Sequence, residues 1–169
     1  MNIEKIGDNL FSKAVDLIET AKRNIVKSAN NNMIYTYFGI GQMIIEKEQN
    51  GEIRADYGKK IIKNLSDRLQ NKYKNGYSQR NVEQMRQFYL TFAIPQTASA
   101  ELQNDKIIMK NIDFQLTWSH YLLLMRIQDI NERKFYEIES INNGWGVREL
   151  KRQFDSALYQ RLALSKDKE

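Results

Sequence analysis

Residues 57–92, YGKKIIKNLSDRLQNKYKNGYSQRNVEQMRQFYLTF, decide how this chain folds. In residues 58–74, Ile61, Ile62, Leu65, Leu69 and Tyr73 recur at steps of three, four and seven, the spacing of one apolar helix face. The other faces are mostly basic. Asn75-Gly76 supplies residues that accept a left-handed backbone just past a helix end, and Ser78 is a good N-cap for a restart. The spacing therefore predicts helix, tight turn, helix within about four residues. In the second helix Val82, Met85, Tyr89 and Phe92 share one side, which leaves Arg80, Glu83, Gln84 and Gln87 facing away. That is the layout of a recognition helix.

Charge points the same way. Between Lys59 and Leu90 there are eight basic residues (Lys59, Lys60, Lys63, Arg68, Lys72, Lys74, Arg80, Arg86) against Asp67 and Glu83, a net of +6. Residues 1–58 sum to −1 and residues 91–169 to 0, so the whole +5 excess arises in this one segment. A solvated helix face usually mixes both signs, whereas segregated charge is what a polyanion footprint needs. The competing interpretation is a plain solubilising surface on a basic amphipathic helix.

Outward from this stretch the chain reads as helical. It has 169 residues, one proline and eight glycines, with helix formers throughout. A hydrophobic fraction of 41% beside 28% charged residues suits one domain with a proper core, or two small helical units packed together. Zero cysteines exclude disulfides and thiolate metal sites. The N-terminus MNIEKIGDNLF lacks the apolar run of a secretory signal and no segment approaches a membrane span, so a cytoplasmic protein with no membrane partner is expected.

Before the basic segment, Phe11, Val15, Ile18, Ala21, Ile25 and Val26 mark a helix over about 8–28 with one apolar face. The run Asn30-Asn31-Asn32 either caps a new helix or kinks the old one. Residues 33–48, MIYTYFGIGQMIIEKE, are apolar on nearly every side and predict a helix in the centre of a bundle. Gly39 and Gly41 each cost about 1 kcal/mol against alanine in a helix, so they suggest another helix crossing closely there. A phosphate loop is disfavoured, since no lysine-serine or lysine-threonine pair follows and no strand precedes.

After Phe92, AIPQTASAELQNDK reads as a linker, and a short hairpin could hide in Lys106 to Leu116, within a connecting stretch of 93–116. A second helical group over 117–164 follows. Thr117 is the expected cap for WSHYLLLMRIQ and Asn131 for a helix from Glu132 to Ile141, with Asn143-Gly144 as its stop. A last helix spans about Val147 to Leu164, with Leu150, Phe154, Leu158 and Leu162 on one face and Arg148, Lys151 and Arg152 at its start. This group repeats the first: Asn143-Gly144-Trp145-Gly146-Val147-Arg148-Glu149-Leu150 matches Asn75-Gly76-Tyr77-Ser78-Gln79-Arg80-Asn81-Val82 at a constant offset of 68. The expectation is an all-α bundle with two tandem helix-turn-helix-like units, the first within residues 1–92, in which Tyr77 and Trp145 staple the helix starts.

Catalytic signatures are sparse. His120, the single histidine, lies beside Trp118 and Tyr121 near a helix start and reads as a hydrogen-bonded structural residue rather than a general base. Glu149-Leu150-Lys151 spells the last triplet of a metal-dependent nuclease site, but such a site needs a strand and a second acid, and this triplet lies in a predicted helix. No cofactor or metal site is expected.

The runs IYTYFGIGQMI, YGKKIIKNLSDRLQ, NGYSQRNVEQMRQFY, LTWSHYLLLMRI and NGWGVRELKRQFDSALYQRLALSKDKE together resemble the N-terminal domain of YhcG-type proteins (domain of unknown function 1016) from about Leu17 onward. The resemblance implies a winged or tandem helix-turn-helix DNA-binding region that precedes a PD-(D/E)XK nuclease domain, with residues 165–169 at the start of the linker. It implies the recognition module, not the cleavage activity. Gly146 departs from the family's usual serine, a better N-cap.

The expected partner is duplex DNA. Lys59, Lys60, Lys63, Lys72 and Lys74 would meet phosphates, and Gln79, Arg80, Gln84 and Gln87, on the helix begun by Ser78, would meet base edges. Arg148, Lys151 and Arg152 are the matching candidates in the second unit. The alternative is a helical interaction module that pairs two copies through apolar residues left over on the long helices.

Overall fold

The computed structural model describes residues 3–49, 55–97 and 113–166. Among these there are seven α-helices and no strand: α1 (Ile3–Gln49), α2 (Ala55–Tyr73), α3 (Gln79–Thr97), α4 (Trp118–Leu124), α5 (Ile130–Asn142), α6 (Val147–Asp155) and α7 (Leu158–Lys166). The all-α expectation holds.

Helix α1 is continuous for 47 residues. The three asparagines at 30–32 neither cap nor stop it. Asn32 keeps its carbonyl within the helix, where it also accepts the Thr36 hydroxyl at 2.8 Å. The change at this point is one of burial: residues 9–30 are exposed throughout, whereas Ile34, Phe38, Gly41, Gln42, Ile44 and Ile45 are buried against α2 and α3. The crossing predicted from the glycines occurs at Gly41. A Cβ there would meet the Met85 carbonyl oxygen and lie 2.8 Å from Tyr89 Cβ, so only glycine lets α3 approach α1 this closely.

Helix α3 contributes Val82, Met85, Phe88 and Ala93 to the core. Phe88 was missing from the expected apolar face, yet its ring is the hub of the largest aromatic cluster, packed on Phe38, Phe92, Phe114, Trp118 and Tyr121 at centroid distances of 5.0 to 5.8 Å. Tyr73, by contrast, was expected on the apolar face and is exposed, tilted against Tyr77. A second, smaller cluster of Ile44, Ile62 and Val82, flanked by Ile40, Leu65 and Tyr77, joins α1, α2 and the start of α3.

The connection after Phe92 differs from the simple linker expected there. α3 continues through Pro95 to Thr97, and Phe114 and Leu116 are buried in the main core, with the Phe114 N–H donating to the Tyr35 hydroxyl. Most of the hairpin expected at Lys106 to Leu116 lies outside the described residues.

Two boundaries in the second group are corrected. Asp129, not Asn131, caps α5, its carboxylate accepting the Glu132 N–H at 2.7 Å, because the helix starts one residue after it. The helix expected over 147–164 is two helices. Ala157 takes a left-handed backbone at φ 54° and separates α6 from α7. Tyr136 braces this break, its hydroxyl donating to the Gln153 carbonyl at 3.3 Å and accepting the Tyr159 N–H at 3.2 Å. Leu162, expected on the apolar face, is about 45% exposed.

Candidate nucleic-acid interface

The turn between α2 and α3 is built by side chains as much as by its glycine. Gly76 has φ 91°, and Lys74 rather than Asn75 takes the second left-handed position, at φ 69°. Ser66, buried on α2, donates its hydroxyl to the Tyr77 carbonyl at 2.8 Å. Ser78 caps α3 as predicted, its Oγ accepting the Asn81 N–H at 3.3 Å. Asn81 donates from its amide to the Gly76 carbonyl at 2.6 Å and accepts the Trp118 indole N–H at 3.5 Å, so this corner is tied to α4. Gly144, at the matching place in the second group, also has a positive φ, 60°, and Gly146 stands at the N-cap of α6 without a side-chain hydrogen bond.

On this frame Lys59, Lys60, Lys63, Arg68, Lys72, Lys74, Gln79 and Arg80 are all exposed. Among the described residues none of these cations is held by a carboxylate; Lys72 lies 5.4 Å from the Tyr73 ring centroid. Arg80, Gln84 and Gln87 share one face of α3, as predicted. Gln84 is half-buried there, and Gln87 donates to the Thr91 hydroxyl at 3.3 Å.

Arg86 does not join this set. Its guanidinium forms a fork with the Glu48 carboxylate at 2.8 to 2.9 Å, locking α3 to the end of the buried half of α1. Two of the three candidate cations of the second group are also engaged. Lys151 pairs with Asp155 and Arg152 with Glu149, one helical turn away in each case, and of the three only Arg148 stands exposed without such a partner among the described residues. Hydrogen bonds from Arg152 and Gln153 hold the Glu149 carboxyl below the usual carboxylate range. Glu149, Leu150 and Lys151 lie within α6 with Leu150 in the core, as expected for a coincidental triplet.

α2 packs on α1 and α3, whereas α6 packs on α4, α5 and α7, so the two candidate sets stand on different parts of the bundle. Lys47 was not among the predicted site residues. It joins Lys60 and Arg68 around an open groove of about 500 Å³ between α1 and α2, whose floor includes Met43, Ile44, Ile61 and Leu65. The signal was the alignment of Lys47 with Met43 one turn earlier on α1.

His120 is structural. It is buried, with Nδ1 2.7 Å from the Thr117 hydroxyl and Nε2 2.9 Å from the Trp145 carbonyl. A carbonyl can only accept, so Nε2 carries the proton and Nδ1 takes the hydroxyl's. The ring thereby joins the start of α4 to the turn before α6. Arg133 is likewise a buried structural cation, donating to the Ile127 carbonyl at 3.0 Å and lying 5.5 Å from the Phe92 ring.

The chain matches the DUF1016 N-terminal domain over residues 13–161. It is similar to the protein named "Putative nuclease YhcG" of Escherichia coli (strain K12), with 40% identity over 172 residues, covering 91% of this chain and 46% of that protein. The chain thus spans about half the length of that relative. No solved structure matches it. No described helix is long and apolar enough to cross a membrane. The chain belongs to the DUF1016 N-terminal domain family.

Proposed function

We propose that this chain is a cytoplasmic DNA-binding module, the targeting part of a YhcG-type PD-(D/E)XK nuclease, with the cutting chemistry residing outside it. The observation that carries this is the set of seven exposed cations on α2, α3 and the turn between them without carboxylate partners among the described residues, in the one segment that holds the net charge. Lys59, Lys60, Lys63, Lys72 and Lys74 meet phosphates, while Gln79, Arg80, Gln84 and Gln87 on the helix begun by Ser78 meet base edges in the major groove. The repeated turn at Gly144 supports a tandem of two helix-turn-helix-like units. In the second unit Arg148 is ready, and Lys151 and Arg152 join by leaving solvent-exposed ion pairs, which hold weakly. Similarity to a protein named a nuclease fits this function. Fluorescence anisotropy with a labelled duplex at low salt tests it: binding is expected, and its absence rejects the proposal.

A second reading, that the domain also assembles with itself, is favoured by the exposed apolar residues along the first half of α1. A monomeric peak at high concentration in size exclusion with light scattering would remove it.

A further inference from the structure

Residues 9–30 of α1 form an arm that is exposed along its length, with Lys22, Arg23, Val26 and Lys27 bordering a groove shared with Gln115, Leu116 and Thr117. Leu10, Phe11, Leu17, Ile18 and Ile25 on the arm are between 55% and 72% exposed. This surface is not an extension of the face that α1 buries in the bundle. Phe11 and Phe38, and likewise Ile18 and Ile45, are separated by 27 residues, about seven and a half turns, and so lie on opposite sides of the helix. Phe38 and Ile45 are the buried members of these pairs. The apolar stripe therefore changes sides near the three asparagines, and the arm turns its apolar face away from the side by which α1 packs into its own bundle.

The stripe has the period of a helix pair. Phe11, Ile18 and Ile25 recur every seventh residue, and Ala14, Ala21 and Ser28 do the same three places later. We infer that the arm pairs with the arm of a second copy of this chain, antiparallel, with Phe11 opposite Ser28, Ala14 opposite Ile25 and Ile18 opposite Ala21. This deepens the self-assembly reading above and rests on it. In that register every large side chain meets a small one, which is how facing layers interdigitate without voids. Charge selects the same direction. Residues 9–19 carry Lys13, Asp16 and Glu19, a net of −1, and residues 20–30 carry Lys22, Arg23 and Lys27, a net of +3. Antiparallel arms place the negative half beside the positive half, whereas parallel arms place +3 beside +3. The extent also suffices. The exposed apolar side chains of one arm present on the order of 700 Å², near the about 800 Å² per partner of a standard interface and above the patches usual on monomers. The pairing puts the two bundles at opposite ends of the joined arms, each with its own α2 and α3.

The chain has no cysteine, so introduced thiols report the register directly. Light scattering should give about twice 20.0 kDa for the wild type, and the 20.0 kDa monomer for a variant with Ile18→Glu and Ile25→Glu. Both positions are exposed in one copy, so that variant should keep its circular dichroism and its low-salt DNA binding. Mixed Ala14→Cys and Ile25→Cys chains should form a disulfide-linked dimer on oxidation, and neither should do so alone. Within one antiparallel pair the like positions are eleven residues apart in register, about 17 Å, too far for a disulfide. A monomeric wild type overturns both this inference and the self-assembly reading. A dimer that survives the two glutamates leaves self-assembly standing and overturns pairing through the arm. Efficient cross-linking of Ile25→Cys alone overturns the antiparallel register.

Discussion

Gly41 is the point where the fold has least freedom. A Cβ built there meets the Met85 carbonyl oxygen well inside contact distance and lies 2.8 Å from Tyr89 Cβ, and both are parts of α3 that cannot swing aside. For Gly41→Ala, relief requires α1 and α3 to part by about 1 Å, which loosens the Phe38–Phe88 edge contact at 5.8 Å and its neighbours. Overpacking of this kind costs about 1 to 3 kcal/mol or more, while alanine's better helix propensity returns about 1 kcal/mol. Because the overlap is with backbone, the cost falls in the upper part of that range, about 2 to 3 kcal/mol, and the net expectation is a loss of about 1 to 2 kcal/mol. For a domain of this size that corresponds to a fall of roughly 2 to 8 °C in Tm. Thermal unfolding followed at 222 nm measures it, with low-salt DNA binding retained by the folded fraction. An unchanged or higher Tm would refute the close crossing of α1 and α3 on which the placement of α3 depends.

Three further outcomes are expected. Arg80→Ala should flatten preference among duplex sequences, since a bidentate contact to guanine discriminates by about 1 to 3 kcal/mol, whereas Lys63→Ala should weaken all duplexes alike and lower the salt slope by about one; titrations on a panel of duplexes separate them. Both residues are exposed, so neither change should move stability by more than roughly 0.5 kcal/mol, and a large fall in Tm for Arg80→Ala would make that residue structural. Glu48→Gln breaks the fork to Arg86 and should cost on the order of 1 to 3 kcal/mol in urea unfolding without weakening DNA binding at low salt; unchanged stability would show the pair to be ornamental. Burial raises the Glu137 carboxyl above the usual carboxylate range, with Tyr121, Arg133 and Lys134 opposing it. The native state therefore holds this proton longer than the unfolded chain, and the associated stability is full below the ordinary carboxylate pKa and lost as pH rises through the raised one. Glu137→Gln should gain stability over the wild type as pH rises from about 4 toward 7; a constant or reversed difference in melts across that range contradicts it.

The helical class, the α2–turn–α3 unit, the cap at Ser78 and the close approach at Gly41 were legible because each rests on local chemistry: a period, a side-chain oxygen, a missing Cβ. Boundaries set by neighbours were not. The break at Ala157 carries no glycine or proline; Tyr136, from another helix, braces it through contacts that no local pattern encodes. Asp129 was passed over for Asn131 because both are good caps, and only the start of α5 decides between them. Phe88 was hidden because the buried side of α3 is wider than one stripe, with α1 and α4 both packed against the helix. For the candidate site, sequence found the cations but could not count which are spent. Arg86, Lys151 and Arg152 look like the others until Glu48, Asp155 and Glu149 are placed beside them.

The central claim is that the cations of α2 and α3 bind DNA phosphates, and the salt dependence of binding tests it most directly. If the seven unpaired cations all engage, the logarithm of the association constant should fall linearly with the logarithm of salt concentration with a slope approaching about −6. Between 50 and 200 mM salt that is a loss of affinity on the order of a thousandfold or more. Anisotropy titrations of one duplex across that range measure the slope. A slope steeper than about −3 that becomes shallower when Lys59, Lys60 and Lys63 are replaced by alanine is the predicted result. Affinity that is insensitive to salt, or a slope unchanged by those three substitutions, would contradict it.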